Sequence, residues 1–500
     1  MTYVSRGFLA DCEKEKLQAS GHIQAYGALV ILDAKLAITH FSENFTDVVA
    51  LKPEAFVDLI LQGLLLPGIV SLGELPGTRI NYDSGLETDS GLFDLVLTRG
   101  PDLCFVIELF LTDITCPEWE DPPDMSSVQD LTALSELRHD LVSWIARISG
   151  FDRVMYYQFL ELGDGEVIAE VCKDDSRGKY LGLRFPASDI PQIARNIYLK
   201  NPWRVIYDAA DASVPVLGTS TPDLTWSDLR SVSPVHAVYM QNMGDCSSLS
   251  FPIKSGTELH ALISCHGNLP LRLPLARLTA MYEVVRSYNR VQRNVTSCYR
   301  VRLVDEIAYN TQQLLKSLSG FVKTPEQWHH FSQWLLKEFE ADAVVWCRNS
   351  EYFSAGISVE KELLEQLDGW FIERCEELVF FENSVRNLLS AELLTHIAGA
   401  AGLRIRLSGD SEISRLYLFR SEQVEEVLWG GNPNKPVEYH DGVLGIAPRY
   451  SFGKWVEKRI GFSRPWGSET RLRLLRLRDE MQHFSKDLPG CVSTQGQANE

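Results

Sequence analysis

The residues best suited to hold a ligand fall between positions 150 and 270. Phe185-Pro186-Ala187-Ser188-Asp189-Ile190-Pro191 places a carboxylate between two prolines. Each proline fixes its own φ and pushes the residue before it to extended backbone, so Asp189 sits on a stiff segment. A rigid acceptor suits recognition of N–H donors. Downstream come Arg204, then Arg230, Ser231 and Ser233, then His236 and Tyr239, then Ser247, Ser248 and Ser250, and finally His266. Arginines and hydroxyls bind carboxylates, while His and Tyr pack against and hydrogen-bond a conjugated ring system. Taken singly, each has an ordinary explanation as a surface arginine, a turn serine or a satisfied buried histidine.

Signatures of catalysis are mostly absent: there is no phosphate-cradling Gly-x-x-x-x-Gly-Lys, no His-Glu-x-x-His and no Gly-x-Ser-x-Gly. Cys265-His266 suggests a thiol with a base, but neighbours on a strand point to opposite faces. A buried cysteine ending the run Ala261-Leu262-Ile263 is the simpler reading. The ten cysteines include no Cys-x-x-Cys pair, which argues against a disulfide framework and a zinc site, so no metal is expected. Cys12, between Asp11 and Glu13 and outside any apolar periodic segment, reads as an accessible lone thiol.

These residues need a scaffold, and the composition supplies an ordinary globular one. Apolar residues make up 45% and charged residues 23% of 500, enough chain for about three domains. With 48 Lys and Arg against 67 Asp and Glu, the net charge of -19 repels a phosphate backbone, so no nucleic-acid partner is expected. The stretch Leu59 to Val70 is too short and interrupted to span a bilayer, and the N-terminus lacks the apolar region of a signal peptide; a cytoplasmic protein without a membrane partner is expected.

From Ile23 to Ile114, short apolar runs broken by Gly, Pro, Asn and Asp predict a sheet-rich α+β domain, and the Pro-rich acidic stretch Cys116 to Ser127 a linker. Ser127 is placed to cap a helix whose apolar face is Leu131, Leu134, Leu137, Leu141, Ile145 and Ile148, with Gly150 as its stop. Val154 to Phe159 and Val167 to Cys172 form a predicted hairpin around Gly163-Asp164-Gly165. Between Pro274 and Gly320 no Gly or Pro intervenes, and one long connecting helix is expected. A third domain runs from about Pro325 to Trp466. Leu474, Leu477, Met481, Phe484 and Leu488 then form a three-four seam that calls for a partner helix, and the last residues are polar.

In this order the residues resemble the phytochrome photoreceptors. Phe151-Asp152-Arg153-Val154-Met155 with Tyr157, the Phe185 to Pro191 run, Leu229 to His236 with Tyr239 and Asn242-Met243-Gly244, and Ser264-Cys265-His266 are similar to a bilin-binding GAF domain. Cys12 with Gly21-His22-Ile23-Gln24 and Gly27-Ala28-Leu29 resembles the N-terminal PAS region of bacteriophytochromes. Trp429-Gly430-Gly431-Asn432-Pro433 and Pro448-Arg449 with Ser451-Phe452 resemble the tongue of a PHY domain. The resemblance implies an α+β fold of three domains, each an antiparallel sheet with flanking helices, joined by a long helix. It adds a figure-of-eight knot at the N-terminus and a tongue hairpin. The divisions it implies are an attachment segment 1–20, PAS 21–116, GAF 128–290, PHY 291–484 with its tongue at about 429–466, and a tail 485–500.

The resemblance also implies a cofactor, biliverdin. Where plant and cyanobacterial phytochromes carry an attachment cysteine before the histidine matching His236, this chain has Val235, so Cys12 inherits a thioether to biliverdin. The implied contacts are the Asp189 backbone carbonyl and a water held by His236 for the pyrrole N–H groups, with Arg204, Arg230, Ser248, Ser250 and His266 for the two propionates. Tyr157, Phe185, Tyr198 and Tyr239 surround the D ring, and Ile190, Pro191 and Ser233 complete the site. Isomerisation at the D ring under red or far-red light is the implied event. Signalling falls to Arg449, as ion-pair partner of Asp189, with Ser451, Trp429 and Trp455. The segment Ser451 to Ile460 sorts Phe452, Trp455, Val456 and Ile460 onto one helical face and is poorly specified as a strand. A homodimer through the helical spine and an output or response-regulator partner are implied, with no enzyme activity in the chain itself. Ala25-Tyr26, His260-Ala261 and Gly267 depart from the family pattern. Two other classes stay open, a pigment-free GAF module for a small ligand and a cysteine-dependent enzyme using Cys265.

Overall fold

Runs of continuous apolar residues need both faces covered, and the strand Gly27–Leu32 shows how this chain does it, since all six of its residues are buried. Ala28, Val30 and Leu32 pack under the helices Phe45–Val49 and Pro53–Gln62, against Phe45, Val49 and Phe56. On the opposite face Leu29 and Ile31 meet Ile23, Leu224 and Leu229, residues brought from far along the chain. The computed structural model describes residues 16–62, 65–112, 117–161, 163–174, 178–318, 324–348, 351–389, 396–407, 413–433, 437–440, 443–446 and 452–486. Cys12, Arg449, Ser451 and Leu488 lie outside them. The chain divides into two compact units, Met1–Val295 with Leu428–Trp455, and Thr296–Val427 with Val456–Glu500.

Among the described residues the first unit holds two large sheets and one short hairpin. In chain order the strands of the first are β1 (His22–Gln24), β2 (Gly27–Leu32), β3 (Ile38–Ser42), β4 (Arg79–Thr88), β5 (Gly91–Arg99) and β6 (Phe105–Leu111). The second is built on β7 (Arg153–Phe159), β8 (Gly165–Cys172), β9 (Arg184–Phe185), β10 (Arg204–Ile206), β12 (Ser247–Ser255) and β13 (Glu258–Gly267). Strand β11 (Ser213–Gly218) leaves the second sheet's part of the chain and joins the first, giving the order β1-β11-β3-β2-β6-β5-β4. Ile23 pairs with Val214 on one side and bridges Arg230 on the other. The Gln24 amide donates to the Leu229 carbonyl, and its side-chain Nε2 donates to the Val205 carbonyl at 3.0 Å. Residues 22–24 are thus enclosed by both arms of the 205–231 excursion, the crossing that a knot at this end requires.

Period-two alternation gives the second sheet two different faces. Val154, Tyr156, Leu249, Phe251, Ile263 and Cys265 pack against the helices Leu131–Ser149 and Leu275–Ser317. The cap of the first helix is Asp130, whose carboxylate accepts from the Ala133 N–H at 2.9 Å, rather than Ser127. That start leaves Leu131 in the first turn, 39% exposed and off the apolar face. Gly150, at φ 80°, closes the helix as expected. The long helix runs from Leu275 to Ser317, 43 residues or about 65 Å.

The second unit is a five-stranded antiparallel sheet of β14 (Ala343–Arg348), β15 (Glu351–Gly356), β16 (Val379–Glu382), β17 (Ile397–Ile405) and β18 (Ser414–Ser421), in the order β15-β14-β18-β17-β16. The helix Lys361–Glu373 covers one face, while Pro325–Glu338 and Ser468–Lys486 cover the other. Leu474, Leu477 and Met481 of the last helix are fully buried in that second face together with Leu314, Leu403 and Leu418. The seam expected to need a partner helix therefore packs on the unit's own sheet and beside Leu314 of the long helix, whose Gln312 donates to Glu480. Val437–His440 and Val443–Ile446, which belong to the first unit, pair as an antiparallel hairpin. Lys454–Arg459 is a strand that keeps Trp455, Glu457 and Arg459 half-buried and exposes Lys454, Val456 and Lys458. Among the described residues no helix is long and apolar enough to cross a membrane.

Candidate functional site

The free face of the second sheet carries Met155 opposite Ser264, Tyr157 opposite Leu262, and Ser248 opposite His266. These side chains form one wall of a cavity. Its other walls come from the proline-bounded stretch through Asp189, Ile190 and Pro191 with Tyr198 of the following helix, and from the helix Pro234–Met243, which contributes Val235, His236 and Tyr239. Arg204, Arg230, Ser231 and Ser233 border the same space, as do Ser250 and Phe185. Every expected ligand-contacting residue other than Cys12 thus borders one space, although Tyr157 and His266 are 109 residues apart in the chain.

Polar groups in the wall are already organised. Tyr239 donates its hydroxyl to Asp189 Oδ2 at 3.1 Å, and the His236 ring stacks on Tyr239 at 5.9 Å with 12° between planes. The two rings are three residues apart on one helix, which puts them on one face. Arg204 Nη2 donates to the carbonyls of Arg230 and Ser231 at 2.7 and 3.0 Å. Arg230 Nη1 reaches the Thr225 carbonyl at 3.3 Å. Burial, followed by the neighbouring Arg204 charge, pushes the Arg230 guanidinium down to about 9, and burial also lowers Arg204. Two desolvated cations side by side favour an anion between or beside them.

The cysteines stand apart from this chemistry. Among the described residues none lines the cavity, and Cys265 is fully buried on the opposite face, where desolvation raises its thiol well above the usual range. A thiolate nucleophile there has neither access nor charge stabilisation. Val235, where a GAF attachment cysteine would stand, borders the space, and so does Leu17 near the start of the described chain.

Two polar groups beside His266 were given no site role in the reading of the sequence. Ser264 shares the wall with His266 by alternation, and Asp245 Oδ2 lies 2.6 Å from His266 Nδ1. The departures from pattern are accommodated. Tyr26 packs its ring against Phe110 and Tyr207 at 5.8 and 5.3 Å, away from the cavity, and a Cβ at Gly267 would come within 2.5 Å of Ser247 Oγ. Of the expected signalling residues, Trp429 is fully buried and pairs in parallel with Arg184, while Trp455 is half-buried. Neither lines the cavity. Gly430 and Phe452 reach it at second hand: Gly430 abuts the Phe185 ring, and Phe452 meets Tyr239 edge-on at 5.0 Å.

Comparison with known proteins adds an independent line. A family model described as phytochrome region matches residues 308–487, and one described as PAS fold matches residues 12–109. Cyanobacterial phytochrome B of Nostoc sp. is 32% identical over 94% of this chain and 65% of its own length. A bacteriophytochrome of Pseudomonas aeruginosa is 28% identical over 95% of this chain and 66% of its own. The chain therefore spans just under two thirds of these curated relatives. Among solved structures, the phytochrome photosensory core module of Stigmatella aurantiaca superposes with a TM-score of 0.78 at 25% identity, covering 94% of this chain and 97% of that one.

Proposed function

The chain belongs to the phytochrome family, and from that membership we propose that it is a red/far-red photoreceptor that holds biliverdin in the cavity, attached as a thioether to Cys12. One observation carries the reading: the two desolvated guanidiniums of Arg204 and Arg230 border a cavity that combines many aromatic and aliphatic side chains with serines and histidines. That donor set fits an extended apolar molecule with carboxylates at its edge.

Arg204 and Arg230 would each take a propionate oxygen, with the Ser248 and Ser250 hydroxyls and His266 on the second carboxylate. The backbone carbonyl of Asp189 and a water held by His236 would satisfy N–H groups withdrawn from solvent. Tyr157, Phe185, Tyr198 and Tyr239 would exclude water around the D ring. Bound there, biliverdin would supply light absorption and an isomerisable bridge to that ring. Leu17 supports the attachment site, because it borders the cavity and Cys12 lies five residues upstream, a reach of up to about 17 Å.

Relay belongs to the tongue at about 429–466. Asp189 and Arg449 form an ion pair in one state, and the strand Lys454–Arg459 exchanges for a helix in the other, gathering Phe452, Trp455, Val456 and Ile460 on one face. That strand exposes Val456, and Ile460 just past its end is exposed too, which supports a second arrangement that would cover them. The domain divisions are PAS 21–116, GAF 128–290 and PHY 291–484, with homodimerisation along the helical spine and an output domain or partner receiving the signal. Incubation with biliverdin, red and far-red difference spectra, and zinc-induced fluorescence on a denaturing gel test this function. The expected result is a photoconvertible pigment that stays on the parent chain and comes off Cys12→Ser. Absence of any visible band would overturn it in favour of a pigment-free small-ligand module.

A further inference from the structure

His266 is held from both sides. Its Nδ1 lies 2.6 Å from Asp245 Oδ2 and its Nε2 lies 2.9 Å from Ser264 Oγ. The Asp245 side chain is 1% exposed. An ionised carboxylate only accepts, so the proton of that hydrogen bond belongs to Nδ1, and Nε2 is turned toward Ser264 and the cavity. Backbone geometry fixes the carboxylate. The helix Pro234–Met243 ends at Gly244, at φ 78°, and the Asp245 N–H donates to the Met240 carbonyl at 2.9 Å. Asp245 therefore sits just past a helix C-terminus, where the helix carbonyls oppose a negative charge and burial opposes it again. His266 is the group that answers both.

The surrounding charges are accounted for. Arg153 stands opposite His266 in register and is ion-paired with Glu170. His236 lies on the helix that Asp245 follows, and Asp189, Arg204 and Arg230 border the cavity beyond. Ser264, with one donor and two lone pairs, satisfies Nε2 whether or not that nitrogen carries a proton.

We propose that Asp245 is a positioning residue of this site: it holds His266 protonated at Nδ1, aims Nε2 into the cavity, and serves as counter-charge when Nε2 takes a solvent proton to meet an acceptor oxygen of the ligand. The ligand group is a carboxylate, and this part rests on the reading of the cavity as the biliverdin site.

Nitrogen-15 NMR of the imidazole rings, with His266 assigned through His266→Gln, tests the first part in the pigment-free chain. The parent is expected to show His266 as the Nδ1–H form. Asp245→Ala is expected to shift the balance toward Nε2–H by about tenfold or more, the worth of one charge-assisted hydrogen bond, and Asp245→Asn to restore Nδ1–H because it keeps an acceptor oxygen. An Nε2–H form in the parent overturns the proposal without any variant having to fold, and so does an unchanged balance in Asp245→Ala. In the pigmented chain, Asp245→Asn keeps the acceptor and loses the counter-charge, so the visible band should move. A band unmoved in both variants overturns the counter-charge role. If the parent takes up no biliverdin, the photoreceptor reading fails, while the pigment-free spectra still decide whether Asp245 sets the tautomer.

Discussion

Glu108 is a carboxylate with no exposed surface, placed where the first domain's strand β6 meets the excursion of the second. It accepts from Ser227 Oγ at 2.6 Å, the Leu229 N–H at 2.8 Å and the Asp228 N–H at 3.1 Å. These bonds favour its charged form, but burial and the nearby Asp228 outweigh them and push the group up to about 7. With the folded value above the unfolded one, the folded chain binds more protons in between. Stability is therefore full below about 4.5 and falls as pH rises toward 7, by up to about 3 kcal/mol. Denaturant titrations between pH 5 and 8 should show this decline, and Glu108→Gln should flatten it; a profile equally steep in the variant would assign the slope elsewhere. Neither Glu108 nor Asp245 was legible in the sequence. Arg204, Arg230, His236 and His266 declare themselves by residue type, whereas a lone acid in an apolar run, or one after a helix-ending glycine, takes its meaning from partners 119 to 121 and 21 residues away.

At the scale of elements, close backbone approach ties the tongue's base to the cavity. A Cβ on Gly430 would lie 2.5 Å from Phe185 Cζ, and one on Gly165 would lie 2.0 Å from the Tyr157 ring. Both rings border the cavity, so either must turn to admit a methyl group, at a cost of about 1–3 kcal/mol. If the cavity holds biliverdin on Cys12 as proposed, Gly430→Ala and Gly165→Ala should keep it attached while shifting its red band and altering the dark-reversion rate. Spectra indistinguishable from the parent would show that these rings do not shape the pigment's surroundings. Alternation and helical period made most elements readable, including the hairpin β7–β8 and the 43-residue helix. What failed was local competition. Asp130 outdid Ser127 as a cap because its carboxylate meets the Ala133 N–H, and the strand Lys454–Arg459 formed although its exposed face mixes Val456 with two lysines.

For the whole molecule, no local signal tells residues 213–218 to leave their own domain and pair with strands β1 and β3. Such a crossing follows from family likeness and not from propensity, since chain crossings are rare. The same long-range blindness affected the terminal seam, whose amphipathic spacing was plain but whose partner was not. Leu474, Leu477 and Met481 are packed inside their own unit, so an interface between two copies, if the spine forms one, would not use them. Val301 and Tyr309, at 60% and 63% exposure on the helix Leu275–Ser317, are spaced eight residues apart and so share one face. If that face joins two copies, Val301→Glu with Tyr309→Glu should lower the dimer fraction in sedimentation while leaving the melting of the second unit near that of the parent. Leu477→Ala should do the reverse, costing about 2–5 kcal/mol of stability for a fully buried leucine and leaving association intact until the unit unfolds. Dissociation by Leu477→Ala without loss of stability would return the dimer contact to the terminal seam.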